Sequence, residues 1–90
     1  MRKVIGRLDG YSWYFQSNAN RWSLEIAEDQ HIEPEDLPLV GYGCSGWLYE
    51  SEEAAQLDDK QVDAYIQKVF ALLKQDKLSY IPTVNNSCSD

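Results

Sequence analysis

Two stretches of alternating residues, set on either side of a polar turn, constrain this chain more than any other feature. From Tyr11 to Gln16, the residues Tyr11, Trp13 and Phe15 fall on one face, and Ser12, Tyr14 and Gln16 on the other. From Arg21 to Ala27, Trp22, Leu24 and Ile26 oppose Arg21, Ser23 and Glu25. Side chains of a strand alternate with period two, so both stretches read as strands with one apolar face. Between them Ser17-Asn18-Ala19-Asn20 supplies turn formers, which predicts an antiparallel hairpin. Residues 2–8 add a first short strand, with Gly6 read as a bulge. Asp9-Gly10 is a tight-turn signal that joins it to the second strand. The three strands form a meander.

The second constraint is a period of three and four. Val62, Tyr65, Ile66, Val69, Phe70 and Leu73 make one apolar stripe on a helix spanning about 58–75. Asp58 and Gln61 have the spacing of a capping box. Lys68, Lys74 and Lys77 lie toward the negative end of the helix dipole. The stripe must be buried, and the sheet face of Trp13, Phe15, Trp22, Leu24 and Ile26 is the surface available.

Between hairpin and helix the pattern is weaker. Residues 28–41 read as irregular, because Pro34 and Pro38 interrupt pairing, with Leu37, Leu39 and Val40 as anchors. Residues 41–46 are a glycine-rich connector. Trp47-Leu48-Tyr49 reads as a fourth short strand. Ser51 is expected to N-cap a helical turn through Glu52, Glu53 and Ala54. Leu78 to Val84 reads as an edge strand interrupted by Pro82. The expected fold is α+β: a small antiparallel sheet of three to five strands, beginning with the N-terminal meander, packed against one C-terminal amphipathic helix. It occupies residues 1–84 as a single domain, and 85–90 read as a flexible tail. A chain of 90 residues is too short for a barrel enzyme or a full dinucleotide-binding fold, and its radius of gyration should be about 12 Å.

Charge is segregated along the chain. The formal net charge is −7. Residues 28–59 contribute −10 to it and contain no Lys or Arg, while the segments before and after carry +2 and +1. That balance repels free nucleic acid and anionic membrane and favours a basic protein partner. No leader and no apolar run long enough to span a membrane is visible, so the expected location is the cytoplasm, with Cys44 and Cys88 as reduced thiols.

Four motifs could carry chemistry. Gly41, Gly43 and Gly46 spell G-x-G-x-x-G, but the segment before them is a poor central strand and a β-type stretch follows, so a turning connector is the expectation. Cys44 with His31 could form a thiol–imidazole pair, yet nothing in the spacing brings them together, and the carboxylates nearby raise a thiol pKa. Asp29, His31, Glu33, Glu35 and Asp36 could approach a cation, but the alternating acids and glycine of a calcium loop are missing, as are the paired His or Cys of a zinc site. Tyr42, Trp47 and Tyr49 lie within or beside the glycine-rich segment. Aromatic and acidic residues together suit an interface with Arg or Lys.

The expected function is therefore a small, acidic, non-enzymatic interaction module. It would act as an inhibitor or decoy on a basic, nucleic-acid-handling partner, as immunity, antitoxin and phage anti-defence proteins of this size and charge do. Glu28, Asp29, Glu33, Glu35, Asp36, Glu50, Glu52 and Glu53 would pair with its Lys and Arg, and Tyr42, Trp47 or Tyr49 would anchor it. No cofactor, metal, direct nucleic-acid contact or membrane contact is expected. Two alternatives are a small-ligand or metal-binding module using residues 29–46, and a subunit that self-associates through an edge strand.

Overall fold

The computed structural model describes residues 2–18, 20–37, 39–41, 43–52 and 58–82. Five strands form one antiparallel sheet in sequence order: β1 (Arg2–Leu8), β2 (Tyr11–Ser17), β3 (Trp22–Ala27), β4 (Gly46–Ser51) and β5 (Ser79–Ile81). One helix, α1 (Asp59–Lys74), lies between β4 and β5 in the chain. A 3-10 turn occupies Pro34–Asp36. The α+β class, the meander and the C-terminal helix are those the periodicity predicts. The radius of gyration is 12.5 Å.

The local rules act as the sequence suggests. Asp9 and Gly10 both have positive φ, 54° and 87°, the type I′ pattern that suits the twist of a two-residue hairpin. In the second hairpin the side-chain Oδ1 of Asn18 accepts from the backbone N–H groups of Asn20 and Arg21. At the start of α1, the Asp58 carboxylate accepts from the Gln61 backbone N–H at 2.9 Å, and the Gln61 side chain accepts in return from the Asp58 N–H. This is a complete capping box.

The main core lies between α1 and the front face of the sheet. Trp13, Phe15, Trp22, Leu24 and Ile26 meet Val62, Ile66, Val69 and Phe70 there. Trp22 is the hub. Its ring stacks on Phe15 at 5.6 Å, on Tyr49 at 5.2 Å and on Tyr65 at 4.7 Å, so it joins β2, β3, β4 and α1.

A second cluster covers the back face. Tyr14 and Ala27 pack with Leu37 and Val40, with Ile32 and Ile81 at the margin. The irregular segment after β3 thus folds back across the sheet as a layer of its own. Tyr14, on the face opposite Trp13, is buried for this reason.

One local expectation is corrected. Gly6 is not a bulge: β1 and β2 pair without interruption from Arg2↔Ser17 to Leu8↔Tyr11. The glycine instead admits a neighbour, because a Cβ there would lie 2.7 Å from Cζ2 of Trp13. Ser51, the expected N-cap, is the last residue of β4 and pairs with Trp22. Glu53 and Ala54, to which that expectation extended, lie outside the described residues, as do Val84 and the tail 85–90.

Replacing Gly6 tests the packing of Trp13. A glycine in a strand is ordinarily improved by alanine. Here Gly6→Ala should lower stability by about 1–3 kcal/mol, the range for overpacking a filled core, in urea unfolding. A stabilised variant would mean that Trp13 does not lie over Gly6.

Candidate functional site

The acidic segment after β3 is held by specific contacts rather than draped on the surface. The Arg7 guanidinium donates to the backbone carbonyls of Gln30 and Ile32 and to the Glu33 carboxylate, at 3.1, 3.4 and 3.2 Å. Ser12, fully buried in β2, donates its hydroxyl to the Ile32 carbonyl. Leu37 and Val40 insert into the back-face cluster. Farther along, the backbone N–H groups of Gly43 and Cys44 both donate to the Leu39 carbonyl, and that of Gly41 donates to the Cys44 carbonyl. The glycine-rich stretch is therefore a tight turn that leads into β4. No helix follows it, so it lacks the geometry of a dinucleotide loop.

The carboxylates expected to bind a partner divide into two groups. Ala27 pairs with Gly46 at one end of the sheet, and Trp22 with Ser51 at the other, roughly 17 Å away along β3. Glu28, Asp29, Glu33, Glu35 and Asp36 belong to the first end. Glu50 and Glu52 belong to the second. Several are already engaged: Glu28 accepts from the Tyr80 hydroxyl at 2.8 Å, Glu33 pairs with Arg7, and Glu50 pairs with Arg21 at 3.0 Å. Asp29 accepts from the His31 backbone N–H, which is the main reason its carboxyl is held below the ordinary carboxylate range. Glu35 and Asp36 are exposed and form no ion pair among the described residues. Leu39, three residues beyond them, is 42% exposed, an apolar side chain in an acidic neighbourhood.

The aromatic candidates do not lie over the acidic layer. Tyr49 stacks on Trp22 and forms part of the front-face core. Trp47 is half-buried on that same face, edge-on to Tyr11 at 5.8 Å and to Tyr80 at 5.9 Å. Tyr42 and Glu53 lie outside the described residues.

The remaining chemical candidates are also placed. His31 is almost fully exposed, with its Nδ1 3.1 Å from Asp29. Cys44 is buried and disulfide-bonded, so the expectation of a reduced thiol is corrected and the residue offers no thiolate for a pair with His31. The other cysteine of the sequence, Cys88, is outside the described residues. Among the described residues no group of three or more His, Cys, Asp or Glu side chains converges as metal ligands would. No described helix is long and apolar enough to cross a membrane. Comparison with protein-family models, with curated proteins and with solved structures finds no match.

One charged residue escapes a reading by pattern. Glu25 alternates with Leu24 and Ile26 as a solvent-facing residue should. In the sheet it stands between Tyr14 and Leu48, and one carboxylate oxygen is buried without a partner. Desolvation raises its pKa from 4.5 to about 7. The folded state therefore holds a proton that the unfolded chain has released, and stability falls as pH rises between those values. Glu25→Gln should match the native chain near pH 4.5 and exceed it at pH 8.5 by about 1–2 kcal/mol, a figure reduced because the side chain is only partly withdrawn from water. Urea unfolding across that range measures the gap. A gap independent of pH would mean that the carboxylate is solvated.

Proposed function

We propose that this chain is a non-enzymatic interaction module whose acidic layer docks on a basic protein surface. The partner would be of the kind that handles nucleic acid, with the chain as its inhibitor or decoy. The observation that carries this reading is the fixation of residues 28–37 and of Val40. Arg7, Ser12 and the buried Leu37 and Val40 hold the segment in one arrangement, with Glu35 and Asp36 turned out to water. A backbone fixed in advance loses little freedom on binding, so more of the attraction of the carboxylates it carries appears as affinity. A negative patch also steers a positive partner and speeds encounter. Leu39 gives such a contact an apolar point. The likeness to immunity, antitoxin and anti-defence proteins is one of size and charge.

The compartment follows from separate considerations. The disulfide at Cys44 favours an oxidising medium over the expected cytoplasm.

The test separates the patch from overall charge. An arginine-rich peptide serves as the basic probe, with binding followed by calorimetry at 50 and 200 mM salt. Glu35→Gln with Asp36→Asn removes two negative charges, and Asp63→Lys, on the exposed face of α1, changes net charge by the same amount. The first pair should weaken binding about fivefold and reduce its salt dependence, and Asp63→Lys by less than twofold. Equal loss in both variants would show attraction to the whole molecule and would defeat the docking proposal.

A further inference from the structure

A cavity of about 520 Å³ opens at the end of the sheet where α1 terminates. Tyr11, Trp47, Phe70 and Leu73 form its apolar walls, and Asp9, Lys74 and Asp76 stand at its charged edge. The volume is within the range of clefts that take a small molecule or a side chain. Lys74 and Asp9 are 3.2 Å apart and neutralise each other. Asp76 forms no ion pair among the described residues, so the slot combines one uncompensated negative charge with the aromatic rings of Tyr11, Trp47 and Phe70.

The slot adjoins the acidic layer. The Asp9-Gly10 turn forms its rim and lies against the acidic segment, since a Cβ on Gly10 would meet the Gln30 side chain at 2.9 Å. On the other side Trp47 touches Tyr80, whose hydroxyl donates to Glu28. Aromatic rings with a spare carboxylate recognise an organic cation, through the ring quadrupole and a charge-assisted hydrogen bond. A planar guanidinium suits both at once, because it stacks on rings and pairs with carboxylates.

We propose that the Tyr11–Trp47 slot receives an arginine side chain of the basic partner, with Asp76 as its counter-charge. The inference rests on the docking proposal and gives it a second, specific contact. Residues 28–36 then supply attraction over distance, and the slot fixes register.

The test uses N-acetyl-L-arginine methylamide as the probe, followed by NMR on the intact chain. N-acetyl-L-citrulline methylamide, of the same shape and without charge, is the control. The arginine probe should shift Tyr11, Trp47 and Asp76 saturably, with an affinity about tenfold above that of citrulline. Asp76→Asn should weaken it about threefold. Asp76 sits at φ 58°, a left-handed conformation that asparagine adopts readily, so this variant keeps the backbone. Trp47→Leu should lose the binding, and Asp76→Asn keeps the proposal testable if that variant fails to fold. Equal binding of citrulline, or no effect of Asp76→Asn, would overturn the slot as a guanidinium site. Saturable shifts confined to Glu35 and Asp36 would overturn the slot while leaving docking by the acidic layer intact. Loss of arginine-rich peptide binding on neutralising Asp76, but not on neutralising Glu35 and Asp36, would support the slot and defeat the acidic layer.

Discussion

Five strands paired in sequence order make an open sheet, and this one has apolar side chains to bury on both faces, Trp22 and Leu24 on the front and Tyr14 and Ala27 on the back. That requirement governs the rest of the molecule. On the front, the aromatic stack around Trp22 and the stripe of α1 exclude water together. On the back no second helix lies among the described residues. The chain covers that face with the irregular segment between β3 and β4. Apart from the 3-10 turn at Pro34–Asp36, this segment has no regular element to hold it, so side chains and turns must. Arg7, Ser12, Leu37 and Val40, together with the turn at 39–44, do this.

The same requirement explains where the charge lies. A covering layer has an inner and an outer surface. Its inner surface uses Ile32, Leu37 and Val40. Its outer surface is free to carry any composition that water tolerates, and here it carries carboxylates without a single Lys or Arg. Structural duty and display are thus divided within one short stretch of chain. Fixing the layer for the sake of the sheet also fixes the backbone positions from which its carboxylates project, which suits an electrostatic docking surface. The partly buried Glu25 carries a cost of this arrangement, since a carboxylate between Tyr14 and Leu48 cannot reach water fully.

Legibility in the sequence followed periodicity. The alternation of Trp13 with Tyr14 and of Leu24 with Glu25 placed both hairpin strands and named the front face. The stripe from Val62 to Leu73 located α1, and Asp58 with Gln61 marked its start. The Asp-Gly pair placed the first turn. Contacts between residues remote in sequence were not legible. Ser12 is polar and reads as solvent-facing, yet it is buried because the Ile32 carbonyl arrives to accept its hydrogen bond. Gly6 resembles a bulge until the Trp13 ring is seen beside it. The segment 28–41 could be recognised as irregular, but Leu37 and Val40 have no period that says which face they cover. For the candidate site, the acidic stretch was evident from composition. Its division between two ends of the sheet, and the position of Trp47 on the opposite face, depend on strand register. The slot beside Trp47 joins residues from the Asp9-Gly10 turn, β2, β4, α1 and the turn at Asp76 that follows α1, and no local pattern announces it.

The central claim is that the acidic segment is an ordered layer of the fold rather than a solvated loop. Amide hydrogen exchange measures this directly. The N–H groups of Gly41, Gly43 and Cys44 donate within the turn that anchors the layer, and that of Glu28 donates to the Ser45 carbonyl. If the layer is part of the cooperative unit, these amides should be protected to within roughly tenfold of those pairing β2 with β3. Exchange at the rate of an unstructured chain, with β2 and β3 still protected, would contradict the account.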